Sequence, residues 1–205
     1  MDKTSFKDNI KKYYNHEAEL RESKSVKSEW KIKVRQNFYN VLKQENKKTL
    51  LELGAGAGYD SVFFMENGLS VIAVDISNEM VIKCKEKGIE AYELDFYNLS
   101  ALNIKFDCIY AINSLLHVPK NDLYKVLHEI DLSLNGNGLF YLGLYGGNDT
   151  ETEFVKSDIS DAPRFFAFHS DNYLKNVLKD QFNIISFETL DLGADIFHSI
   201  ILRKK

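Results

Sequence analysis

The sequence predicts an α/β protein: a doubly wound, seven-stranded and mostly parallel sheet with an antiparallel C-terminal hairpin and an N-terminal helical lid. Three observations predict it. From Thr49 onward, short apolar runs alternate with helical stretches, the pattern of strands joined by crossover helices. A glycine-rich turn, with Gly54, Gly56 and Gly58, follows the first of those runs. The last two runs are joined only by Asp191-Leu192-Gly193-Ala194-Asp195, too few residues for a crossover helix, so they pair antiparallel.

The elements follow in chain order. Between residues 6 and 44, Tyr13, Tyr14, Leu20, Val26, Trp30, Val34, Phe38, Val41 and Leu42 recur at steps of three and four, which puts them along one face of a helix. The chain divides accordingly into a helical lid or cap over 1–48 and a ligand-binding body over 49–205. Strands are expected at 50–53, 71–74, 91–94, 106–112 and 139–144, with a closing hairpin of 182–190 and 196–203. Helices are expected at 60–67, 78–87, 120–133 and 170–180. Ser77 and Ser170 stand where an N-cap hydroxyl accepts from the first free amides of a helix.

Composition bounds the rest. A chain of 205 residues suits one α/β domain with a short appendage, and 44% apolar residues with 14 Phe and 11 Tyr supply a core that excludes wholesale disorder. The net charge of −4 gives no overall reason to expect nucleic acid. Its distribution is uneven: residues 1–48 carry 13 basic and 7 acidic side chains, so a basic arm sits on an acidic body. That arm reads either as a solvated helix face or as a grip for RNA or a membrane surface. Cys84 and Cys108 have neither zinc nor disulfide spacing and read as reduced core residues. With no apolar leader and no apolar run of about 18 residues, the expectation is a cytoplasmic monomer or homodimer without a membrane partner.

The glycine turn carries the chemistry. Glycines let a ligand approach backbone at the mouth of a helix, where free amides attract it. Seventeen residues beyond Gly58, Asp75 closes the second strand, where a carboxylate accepts both hydroxyls of a ribose. The glycines fall at 54, 56 and 58, not in the dinucleotide spacing G-x-G-x-x-G. Glu52-Leu53-Gly54-Ala55-Gly56-Ala57-Gly58 resembles instead the first motif of class I S-adenosylmethionine-dependent methyltransferases.

That resemblance covers about 150 residues. Val71 to Ser77 with Met80 is similar to the second motif, which implies that Asp75 holds the ribose and Ile76 packs on adenine. Leu94-Asp95-Phe96 looks like the third, implying that Asp95 accepts the adenine amino group while the Phe96 backbone reads a ring nitrogen. Phe106 to His117 resembles the fourth strand and the loop facing the methyl group, which brings in Asn113, Leu116 and His117. Leu134-Asn135-Gly136-Asn137-Gly138 resembles an L-x-x-G-G turn with Asn137 in place of one glycine. The implied cofactor is S-adenosylmethionine, and no metal is implied.

A sulfonium carbon is already activated, so the protein must mainly hold an acceptor in line with it and exclude water. A base helps when the acceptor carries a proton; His117 is the candidate, with capping of the turn before Pro119 as the plain alternative. Ala162 to His169 resembles the acceptor-pocket wall of small-molecule members. Tyr14, Leu116, Tyr145, Arg164 and Phe166 are the pocket candidates. Arg164 either binds an acidic acceptor or makes an ordinary surface ion pair, and Tyr13 and Tyr14 either line the lid or pack its helix. Asn113-Ser114-Leu115-Leu116 stands where enzymes acting on nucleobase or glutamine nitrogens carry Asn/Asp-Pro-Pro-Tyr/Phe. The expected activity is methyl transfer to nitrogen, oxygen or sulfur of a small molecule. The alternatives are an RNA or protein methyltransferase, an NAD-dependent dehydrogenase, and a non-catalytic nucleotide-binding module.

Overall fold

A computed structural model describes residues 3–23, 28–156 and 159–205 of the chain. The strands are β1 (Thr49–Leu53), β2 (Ser70–Asp75), β3 (Glu90–Glu93), β4 (Phe106–Ile112), β5 (Leu134–Gly146), β6 (Glu151–Lys156), β7 (Ser160–Ala167), β8 (Phe182–Asp191) and β9 (Ile196–Lys204). Seven of them form one sheet in the order β3-β2-β1-β4-β5-β9-β8. The pairs among β1 to β5 are parallel, whereas β9 runs antiparallel to both β5 and β8, as the short 191–195 connection requires. Because β1 lies between β2 and β4, the chain reverses its direction of winding there, and the strand ends at that point open a crevice.

The strands are apolar on both faces because both faces are covered. Leu51, Ile109, Phe140, Ile200 and their alternates pack under α5 (Leu123–Ser133) and α6 (Asp171–Leu178). Leu50, Tyr110 and Tyr141 point the other way, against Phe38 of α2 (Glu29–Gln44) and Phe64 of α3 (Tyr59–Glu66). The Tyr110 and Tyr141 rings stack there at 4.9 Å. Val81 and Cys84 of α4 (Asn78–Glu86) cover Ala73 and Ala91. Cys84 and Cys108 are both free and buried. The Ser77 and Ser170 hydroxyls accept from the amides of Met80 and Tyr173, capping α4 and α6.

Three features differ from the sequence expectation. The single helix expected through residue 44 is two, α1 (Lys3–Ser23) and α2, because Ser28 is extended (φ −61°, ψ 145°) and restarts the helix; Val26 lies outside the described residues. The two helices serve different surfaces. Val34, Phe38 and Leu42 of α2 belong to the sheet's core, whereas Phe6 and Ile10 of α1 pack on Phe165 and Ala167 of β7. Second, β6 and β7 form a separate antiparallel hairpin that the sequence reading left unassigned. β6 is exposed along nearly its whole length and β7 contains Pro163, so neither shows the alternation that marks a strand. Third, β5 starts at Leu134 and not at Leu139, since Asn135 to Gly138 bulge between the pairs Phe106–Leu134 and Cys108–Leu139. Asn137 adopts φ +62° there, a conformation Asn tolerates better than other non-glycine residues.

Candidate active site

The crevice at the ends of β1, β2 and β4 opens into a cavity of ≈ 520 Å³, within the size range of small-molecule sites. The cavity gathers most of the residues that the motifs singled out. Glu52, Gly54, Ala55, Gly56, Asp75, Ile76, Asp95, Phe96 and Asn113 line one part of it; Tyr14, Leu116, His117, Tyr145, Arg164 and Phe166 line the rest.

Gly54, at φ +66°, approaches the β4 loop so closely that a Cβ would lie 2.5 Å from the Ser114 Cβ. At Gly56 (φ +55°) a Cβ would meet nothing within 4 Å. Three of the turn's amides are already taken by the chain itself, where the sequence reading had the amides there free. Gly54 and Ala55 both donate to the Val74 carbonyl at 2.8 and 3.2 Å, and Gly56 donates to Asp75 Oδ2 at 2.9 Å. Asp75 Oδ1 also accepts from the Ser77 amide at 2.9 Å. The carboxylate therefore ties the glycine turn to the end of β2. Burial pushes the Asp75 carboxyl above the usual carboxylate range, against the pull of those amides and of Arg21. Glu52 is buried and accepts from the Ser61 hydroxyl.

Two expected residues do not line the cavity. Met80 is fully buried in α4 beneath the Ser77 cap. Gly58 faces the other way: at φ +80°, a Cβ would lie 2.6 Å from Ile89 Cδ1 and 3.0 Å from Cys84 Sγ. Its role is to let α3 start close against α4. Gly58→Ala should lower the unfolding free energy by about 1–3 kcal/mol, read by urea denaturation, and shift S-adenosylhomocysteine affinity by less than about threefold.

Helix α1 covers the cavity. Lys7 pairs with Asp95 at 2.5 Å and lies 3.6 Å from the Tyr97 ring centroid, Lys11 pairs with Glu93, Lys87 with Glu22 at 2.7 Å, and Asn15 accepts from the Ser77 hydroxyl at 2.6 Å. Individually such exposed ion pairs are weak; together they fix where α1 sits. Part of the basic arm thus faces the acidic body. Glu17 and Arg21, paired at 2.5 Å, also line the cavity, and sequence reasoning missed both. Their signal was available, since residues 10, 14, 17 and 21 share one helix face. Lys7, Tyr59, Asp60 and Tyr97 line it as well, with no comparable signal.

His117 is 8% exposed and makes two hydrogen bonds. Its Nδ1 lies 2.7 Å from the Phe165 carbonyl, and its Nε2 2.6 Å from the Tyr14 hydroxyl. A carbonyl only accepts, so Nδ1 carries the proton, and Nε2 offers its lone pair to the Tyr14 O–H. Burial, aided by Arg164 and Arg21, pushes the pKa down to about 4. His169, fully buried and stacked on Tyr173 at 4.9 Å, is likewise pushed down to about 4, chiefly by burial. Both folded values lie below the ordinary 6.5, so the unfolded chain binds more protons between pH 6.5 and 4. Stability should be full above pH 6.5 and fall by a few kcal/mol as pH drops toward 4. His169→Phe should flatten that decline, measured as the urea midpoint against pH; an equally steep decline would clear His169 of the effect.

Asn113 and Ser114 line the cavity, and Asn113 Oδ1 and Ser114 Oγ are buried without a hydrogen-bond partner, a situation that a polar ligand reaching them would relieve. Asn113 itself is held at φ +53°, its amide donating to the Gly143 carbonyl at 2.7 Å.

Comparisons with known proteins agree with this geometry. Residues 50–138 match the methyltransferase domain family. The UPF0146 protein MJ0688 of Methanocaldococcus jannaschii is 28% identical over 108 residues, 52% of this chain and 75% of that one. Glycine/sarcosine N-methyltransferase of Halorhodospira halochloris is 29% identical over 114 residues, 51% of this chain and 42% of that one. The 1,6-didemethyltoxoflavin-N1-methyltransferase of Burkholderia thailandensis, solved with 1,6-didemethyltoxoflavin and S-adenosylhomocysteine, superposes with a TM-score of 0.70 at 16% identity, covering 97% of this chain and 86% of that one.

Proposed function

We propose that the chain is a class I S-adenosylmethionine-dependent methyltransferase, as the family match over residues 50–138 and the shared fold support, and that it methylates nitrogen, oxygen or sulfur of a small molecule. One observation carries this reading: the motif residues at the strand ends and the His117–Tyr14–Arg164 group line a single cavity beneath α1. A helix over a cavity of this size suits an acceptor small enough to share it with the donor, as two of the similar proteins are named for small acceptors. We assign the lid role within the 1–48 segment to α1, since α2 is packed into the core.

Within that cavity, Asp75 would hold the ribose hydroxyls, with Ile76, Asp95 and Phe96 around the adenine. Glu52, Gly54, Ala55, Gly56 and Asn113 would bound the amino-acid portion. When bound, the donor supplies an electrophilic methyl carbon. What the chain adds is position, exclusion of water and a proton acceptor. Leu116, Tyr145 and Phe166 wall the acceptor space, and His117 Nε2 is the lone pair that takes the acceptor's proton.

Incubation of the purified protein with methyl-deuterated S-adenosylmethionine and a size-fractionated cell extract tests the reading. The label should appear in the small-molecule fraction. Label confined to RNA or protein would move the assignment to a macromolecular acceptor.

A further inference from the structure

We propose that the acceptor is an anion, bearing a carboxylate or phosphoryl group that seats against Arg164 and Arg21 beside His117. The inference deepens the reading above and rests on it.

The chain has four arginines. Three are matched to a carboxylate: Arg21 to Glu17 at 2.5 Å, Arg35 to Asp60 at 2.8 Å and Arg203 to Glu45 at 2.6 Å. Arg164 has no such match among the described residues. Its guanidinium lies 4.1 Å from the Tyr13 ring centroid and 5.0 Å from that of Phe166, and its Nε is buried with no hydrogen-bond partner. Aromatic faces offset only part of the cost of taking a cation out of water. Yet Arg164 lines the cavity, so its missing counter-charge is one that a ligand there can bring.

Arg21 faces the same place from the opposite element. Arg164 stands on β7 and Arg21 on α1, with the Arg21 guanidinium 5.0 Å from the Tyr14 ring centroid. Both lower the Tyr14 phenol's pKa against the effect of burial, and both help to depress that of His117. Glu17 pairs with Arg21, which also faces Asp75, and neither carboxylate pairs with Arg164. A guanidinium presents a planar fork of donors that matches two oxygens of a carboxylate or phosphoryl group. An acceptor anchored there by its anionic end holds its nucleophilic atom near His117 and Leu116, short of the glycine turn.

The test uses the full chain saturated with S-adenosylhomocysteine, titrated by calorimetry with propionate, ethylphosphonate and neutral propionamide at low ionic strength. One of the anions should bind at least tenfold more tightly than the amide, and the stronger one identifies carboxylate or phosphoryl. Arg164→Gln should weaken that anion about tenfold or more while leaving the S-adenosylhomocysteine dissociation constant within about threefold. Arg164→Lys, keeping charge without the fork, should recover part of the loss. Equal binding of anion and amide, no anion binding, or an anion affinity indifferent to Arg164→Gln would each overturn the proposal. Failure of the unaltered chain to bind S-adenosylhomocysteine would instead sink the reading on which it rests.

Discussion

Asp75→Ala is expected to raise the dissociation constant for S-adenosylhomocysteine by about two to four orders of magnitude. The figure comes from two ribose hydroxyls, each donating to a carboxylate, at about 1.5–3 kcal/mol per charge-assisted bond. The structure adds a second contribution. The same carboxylate receives the amides of Gly56 and Ser77, both at 2.9 Å, so its removal also unfastens the glycine turn from β2. Asp75→Asn separates the two effects. An amide oxygen can still accept from one backbone N–H, so the turn should stay in place, and the thermal midpoint should fall less than in the alanine variant while much of the affinity is still lost. Burial also raises the carboxyl's pKa, so affinity in the native chain should weaken as pH falls through a value above the ordinary 3.8. Isothermal calorimetry decides the matter: an unchanged dissociation constant in Asp75→Ala would remove this residue from the ligand's surroundings.

What could be read from the sequence was what local periodicity encodes. Parallel strands buried on both faces show as apolar runs, and the runs at 50–53, 71–74 and 106–112 fall within β1, β2 and β4. Ser77 and Ser170 declared themselves because capping is a contact between neighbours in sequence. Where the determining contact is long-range, the text was silent. Nothing near Gly58 says that its missing Cβ makes room for Ile89 and Cys84. Likewise the amides of Gly54 and Gly56 read as free until Val74 and Asp75 are seen to take them. The β6–β7 hairpin was invisible for a different reason. Phe165 and Ala167 pack on α1 while Phe166 turns to Phe154 and the loop after β4, so no simple alternation marks it, though Arg164 and the Phe165 carbonyl both come from it. The end of the cavity proposed for the acceptor is thus assembled from the two elements whose boundaries the sequence conveyed least well, while the end proposed for the donor rests on motifs contiguous in the chain.

His117→Ala should lower kcat by about 10²- to 10⁴-fold, the usual contribution of a positioned general base, with the S-adenosylhomocysteine dissociation constant unchanged within about threefold. The geometry explains why the loss should fall on kcat. Nδ1 is committed to the Phe165 carbonyl at 2.7 Å, which fixes the ring and its tautomer, and Nε2 alone is left to exchange its Tyr14 partner at 2.6 Å for the acceptor's proton. With its pKa pushed down to about 4, the imidazole is neutral across pH 6–8, so no activity limb over that range should belong to it. Tyr14→Phe gives an opposing control: it removes the hydroxyl that occupies Nε2 but not the lone pair, and so should cost much less in kcat than His117→Ala. Were His117 merely bridging β7 to the loop after β4, both variants would lower the thermal midpoint and leave kcat of the folded fraction intact. An unchanged kcat in well-folded His117→Ala would leave proton removal to solvent or to the acceptor itself, and the cavity's part would then be to hold and enclose.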